Sequence, residues 1–97
     1  MDEVEKLQAQ IKSLLAARKF LLNQQPSDMV AIGQITEGIV DLTARQMALT
    51  EARRIPAVSP ETVKALQSAI KALDDAMKAS AAATQILTAA TAVANTA

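Results

Sequence analysis

The chain has 97 residues, and its ten lysine and arginine residues balance ten aspartate and glutamate residues, so the formal net charge is zero. It contains neither cysteine nor histidine. These absences exclude disulfides, cysteine-ligated metal sites and every catalytic arrangement that needs a histidine base. The balanced charge argues against binding to nucleic acid. We therefore expect a protein that is not an enzyme, with no catalytic, cofactor-binding or metal-binding residue.

The core of this chain is expected to be thin. Hydrophobic residues make up 51% of the sequence, but many of them are alanine, and Phe20 is the only aromatic residue. Large rings normally dominate burial, and a chain of this length buries a modest fraction of its surface. Length and composition together predict one small domain, residues 1–97.

The first predicted helix covers about residues 2–23, where apolar residues recur three or four positions apart. Asp2 and Glu5 have the spacing of a capping box at its start. Pro26 disfavours helical backbone at the residue before it, which predicts the end of this helix.

The second predicted helix covers about residues 27–54, with Ser27 or Asp28 as its N-cap and Arg53 and Arg54 in its last turn. Its inner stripe alternates three and four positions apart and comprises Ile32, Ile35, Ile39, Leu42, Gln46 and Leu49. Gly33 and Gly38 lie inside it, which we interpret as sites of close helix packing.

The third predicted helix covers about residues 59–92 and opens with an N-cap serine, proline at the first helical position and an early acid, Ser59, Pro60 and Glu61. Its heptad ladder consists of large apolar residues at first and mainly of small or polar residues later. The members are Val63, Leu66, Ile70, Leu73, Met77, Ser80, Thr84, Leu87, Thr91 and Ala94. We interpret three methionines as core fillers, namely Met29, Met47 and Met77.

Short connections between three long amphipathic segments predict an all-α fold, an antiparallel up-down-up three-helix bundle. The third helix is longer than the other two, so its end is expected to overhang the bundle or to fray. Residues 79–97 form an alanine- and threonine-rich extension without a charged residue. This extension is too polar to cross a membrane, and either it packs partly on the bundle or it is a docking surface.

The function predicted by elimination is a non-catalytic helical interaction protein, such as an adaptor, a co-chaperone, a secreted helical factor or an assembly subunit. Its partner is expected to be another protein or a second copy of itself, bound through coiled-coil contacts. The predicted contact residues follow the heptad ladder: Ile70, Leu73, Met77, Thr84, Leu87 and Thr91. The alternative function is a surface-active or membrane-associating amphipathic protein, with membrane contact the weaker expectation.

Two further features of the sequence bear on a possible chemical site and on a possible secretion signal. Glu37 and Asp41 lie one helical turn apart, but nothing in the sequence completes a metal or acid–base site, so we interpret them as a solvated face. The N-terminus is acidic where a secretory signal would be basic and then apolar, so no cleavable signal is predicted. We expect a cytoplasmic protein by default, with secretion that needs no signal as the alternative.

Overall fold

The computed structural model describes residues 1–52 and 54–97. Within these residues the chain is all-α, as predicted, but it forms four helices rather than three. They are α1 (Glu3–Leu22), α2 (Met29–Glu51), α3 (Pro60–Lys78) and α4 (Ala83–Ala94). None of these four helices has the length and apolarity needed to cross a membrane.

The starts of the first three helices follow the predicted capping signals. Asp2 accepts from the Glu5 N–H at 2.8 Å, and Glu5 accepts from the Asp2 N–H at 3.1 Å, which completes the capping box. Asp28 caps α2 and Ser59 caps α3, each through a side-chain oxygen that accepts from the backbone N–H of the third residue of its helix. The second helix is shorter than predicted, because it ends at Glu51 with Ala52 as its C-cap. Arg53 and Arg54 were predicted for its last turn; Arg54 lies beyond the end of the helix, and Arg53 lies outside the described residues.

The helices alternate in direction along the chain. The Val58 N–H donates to the Met1 carbonyl at 3.0 Å, so α3 begins at the same end of the molecule as α1. The end of α4 lies against the start of α1, where Gln10 Nε2 donates to the Val93 carbonyl at 2.9 Å. Helices α1 and α4 each contact the other three helices, whereas α2 and α3, over their described residues, do not contact each other. Thus α1 and α4 form the middle of the bundle, and α2 and α3 flank them.

The prediction of one long third helix is wrong. Helix α3 ends at Lys78, and Ser80 takes a positive φ of 52°. The Ala81 N–H donates to the Ala76 carbonyl and the Ser80 N–H to the Met77 carbonyl, both at 3.0 Å. These two bonds form a Schellman motif, which satisfies the last carbonyls of a helix and reverses the chain.

The reversal has a clear physical reason in the apolar residues that follow it. Ile86, Ala90 and Val93 of α4 are at most 1% exposed and pack into the core against α1. In a straight continuation of α3 these side chains would extend beyond the bundle into water. Full burial of an isoleucine or a valine contributes about 1.5–3 kcal/mol, so folding back is the more stable arrangement. The extension neither overhangs nor frays up to Ala94; it forms the fourth helix.

Helix α2 agrees with the prediction on its inner side but differs from it on its outer side. Its predicted inner stripe is confirmed, with Ile32, Ile35 and Leu42 buried. Met29 and Met47, however, are 66% and 61% exposed, so the prediction that they fill the core is wrong.

The two glycines of α2 have different surroundings. A Cβ atom at Gly38 would meet Leu14 Cδ1 at 3.5 Å, which agrees with close packing of α1 on α2. A Cβ atom at Gly33 would meet no atom within 4 Å, so the close packing predicted there is absent from the described residues.

Candidate interaction surface

The six predicted contact residues do not form one surface. Leu73 is fully buried, and Ile70 and Met77 are half-buried against the core. Ile70 lines a cavity between α1 and α3, whereas Thr91 lines a cavity between α2 and α4. The heptad ladder that joined these residues in the sequence is interrupted where the chain reverses after Lys78.

The other two predicted contact residues lie on α4, where Thr84 is exposed and Leu87 packs partly against the core. The end of α4 is held by two side chains of α1. Gln10 Nε2 donates to the carbonyls of Val93, Ala94 and Thr96 at 2.9, 3.3 and 3.1 Å. Lys6 Nζ donates to the Thr96 carbonyl at 3.1 Å and pairs with Glu3 at 3.0 Å. A positive charge and amide donors at a helix C-terminus satisfy carbonyls that the helix leaves free. Helix α4 is therefore a structural part of the bundle.

The large exposed apolar side chains are concentrated on α1 and α2. Within the described helices, every large apolar residue that is exposed belongs to one of these two, and α3 and α4 carry none. We define the α1/α2 face by six residues that point away from α4: Leu15, Leu22, Met29, Gly33, Val40 and Met47. Its five side chains are between 41% and 66% exposed.

The position of this face follows from helical geometry. The edge of α2 that faces α4 carries Gln34, Glu37, Gly38 and Asp41, which line a cavity together with residues of α4. Met29, Val40 and Met47 are turned by more than 100° from the middle of that edge, at 100° per residue. Leu15 and Leu22 of α1 are seven residues apart and lie on the neighbouring side of α1. The face therefore runs along both helices on the side opposite α4.

Threonines of α2 extend the apolar character of this face. The hydroxyls of Thr36, Thr43 and Thr50 donate to the carbonyls four residues earlier at 2.8, 2.7 and 2.8 Å. Because each hydroxyl already has a partner in its own helix, these residues present mainly their methyl groups outward. Positions 29, 33, 36, 40, 43, 47 and 50 thus form a second, uncharged heptad stripe on α2.

Charged residues border the face on its two outer edges. Lys12 and Lys19 are exposed on the edge of α1 nearer α3, where Lys12 lines a cavity together with Asp74. Glu37 is exposed on the edge of α2 nearer α4, where it lines a cavity with residues of α4. One edge is therefore basic near its middle and the other acidic. This is the pattern of an apolar seam with charged flanks, which is typical of surfaces that bind another helical pair.

Among the described residues, the remaining titratable groups do not define a chemical site. Glu37 and Asp41 are exposed beside a shallow cavity of about 210 Å³, and no group of three metal-ligating side chains occurs among the residues described. On α3, Lys71 donates to Asp75 at 2.9 Å. This hydrogen bond and the lysine charge lower the pKa of the Asp75 carboxyl and raise the pKa of Lys71. The pair is exposed and supports the solvated side of α3, as its spacing predicts.

The sequence did contain a signal for the α1/α2 face. The stripe from Met29 to Thr50 has the same alternating spacing of four and three as the inner stripe of α2. The stripe contains glycine and threonines, so it has few large apolar residues, and its methionines are of a type that commonly fills cores. A helix with two apolar stripes on different sides buries one in its own bundle and leaves the other free.

Comparison of the chain with protein-family models, with curated proteins and with solved structures found no match.

Proposed function

We propose that this protein is a non-catalytic helical interaction protein whose contact surface is the α1/α2 face. The observation that carries the proposal is the concentration of exposed leucine, methionine and valine side chains on two adjacent helices. Apolar side chains that protrude together and are flanked by charges are characteristic of protein interaction sites. Burial of each exposed apolar side chain by a partner would supply a part of the binding energy.

The α1/α2 face is a better contact surface than the six residues predicted from the heptad ladder. Contact through Leu73 would require the core to open, since this side chain is 0% exposed. The outer side of α4 offers Thr84, Gln85, Thr88 and Ala92, which are small or polar. Binding energy at protein interfaces comes mostly from large buried side chains, and these stand on α1 and α2.

A photo-reactive amino acid placed singly at position 40 tests this function. The matched control carries the same group at position 88, on the outer side of α4. We expect the position 40 variant to cross-link to a protein, in purified form or in an extract of the cells that produce it, and the position 88 variant to give no specific product. Equal cross-linking from both positions, or none from either, would contradict the proposal.

A membrane partner is the second outcome that this design detects. The purified protein and its Val40→Asp variant are mixed with vesicles of neutral phospholipid and sedimented. Wild-type protein that pellets with vesicles, together with loss of pelleting in the variant and no protein cross-link from position 40, would replace a protein partner by a lipid surface.

A further inference from the structure

We propose that the α1/α2 face binds a second copy of this chain, with the two-fold axis parallel to the helices so that α1 of each copy packs against α2 of the other. This inference rests on the proposed function and names its partner. It follows from the signs of the charges on the two edges of the face and from the positions of these charges along the helix axes, called their heights below.

The heights of the charges follow from the contact between α1 and α2. Leu14 lies against Gly38, so residues of α1 and α2 whose numbers sum to about 52 stand side by side. Glu37 is therefore level with Leu15. At 1.5 Å per residue, Lys12 stands about 4.5 Å to one side of that level and Lys19 about 6 Å to the other.

A two-fold axis parallel to the helices preserves these heights and exchanges the two edges. The acidic edge of α2 in one copy then faces the basic edge of α1 in the other, with Glu37 between Lys12 and Lys19. The same contact occurs a second time by symmetry, as in every closed dimer of this kind. Opposite charges beside an apolar seam select the partner and the register of helical assemblies.

The other symmetric arrangement is disfavoured by the same charges. An axis perpendicular to the helices would pack α1 against α1 and α2 against α2. The middle of the face, halfway between Met29 and Met47, is level with Gly38 and Leu14. This axis would therefore bring the basic edges of the two copies together and place the two copies of Glu37 within about 3 Å of the same level. Like charges in contact oppose association, whereas the parallel axis separates them.

The shape and area of the face also suit a second copy. Leu22 is level with Val30 and would stand between Met29 and Gly33 of the other copy, nearer Met29; a Cβ added at Gly33 would meet no atom within 4 Å. A small residue opposite a large one permits the interdigitation that helix packing needs. Two helices about 30 Å long and 10 Å apart present about 600 Å² per copy, or about 1,200 Å² in total, which reaches the lower limit for stable interfaces.

Charge reversal tests this arrangement through sedimentation equilibrium over a concentration series at low ionic strength. We expect wild-type protein to dimerise, and both the Lys12→Glu/Lys19→Glu variant and the Glu37→Lys variant to dimerise at least about tenfold more weakly. An equimolar mixture of the two variants should regain wild-type affinity as a heterodimer, because both of its contacts again join opposite charges. All three positions are exposed, and circular dichroism checks that the variants fold.

The matched control is the Lys64→Glu/Lys78→Glu variant, which makes the same charge change at exposed positions of α3. Its affinity should equal that of the wild type. A monomeric wild type, an equal effect of the control, or a mixture that does not recover would each overturn the proposal. A monomeric wild type whose position 40 variant cross-links to a different protein would overturn only the second copy as partner, and the proposed function would stand.

Discussion

Ser80 is the residue at which the chain leaves α3, and its backbone lies in the left-handed region with a φ of 52°. Side chains other than glycine reach this region at a cost of about 1–2 kcal/mol, because the Cβ atom crowds the backbone. The two Schellman hydrogen bonds and the burial of α4 offset this cost in the folded protein. Glycine is the usual residue at this position, and its absence removed the strongest sequence signal for a helix end.

A Ser80→Gly substitution should therefore stabilise the protein. We expect the free energy of unfolding, measured by chemical denaturation, to rise by about 0.5–1 kcal/mol, since glycine adopts the left-handed region freely. The matched control is Ser68→Gly at an exposed position inside α3, which should lower that free energy by about 0.5 kcal/mol. A loss of stability in Ser80→Gly would show that the chain does not turn at this residue.

Helix α4 depends on tertiary burial more than on local signals. Its N-cap, Ala82, makes no side-chain cap hydrogen bond, and the connection from Ala79 to Ala82 contains three alanines, the best helix former. Local propensity therefore favours one continuous helix, as predicted from the sequence. The starts of α1, α2 and α3 could be predicted, because Asp2, Asp28 and Ser59 act through hydrogen bonds within a few residues.

Substitution of Ile86 tests whether α4 is part of the core. Ile86→Ala removes a fully buried side chain and should lower the free energy of unfolding by about 2–5 kcal/mol. Ile86→Val, expected to lower it by about 0.5–1.5 kcal/mol, gives a measurable value if the alanine variant does not fold. Thr88→Ala, on the exposed side of the same helix, is the control and should change it by less than about 0.5 kcal/mol. Equal, small effects at both positions would contradict the packing of α4.

At the scale of the whole molecule, the bundle uses one side of the α1–α2 pair for its core and leaves the other side apolar. The inner side could be predicted, because Leu7, Leu14, Ile35 and Leu42 have regular helical spacing and are buried. The outer face could not, because a sequence shows that α2 carries two stripes but does not show which stripe the bundle covers. Folding back of α4 decides this, since α4 packs against α1 and α2 on one side only.

Methionine-methyl NMR tests directly whether contacts form on the α1/α2 face. Met29 and Met47 lie on this face, whereas Met77 belongs to the set predicted from the heptad ladder and packs against the core. The spectra are recorded as the protein concentration is raised, and again with any cross-linked partner added. We predict that the methyl signals of Met29 and Met47 shift while that of Met77 stays constant. A shift of Met77 with constant signals from Met29 and Met47 would contradict the account.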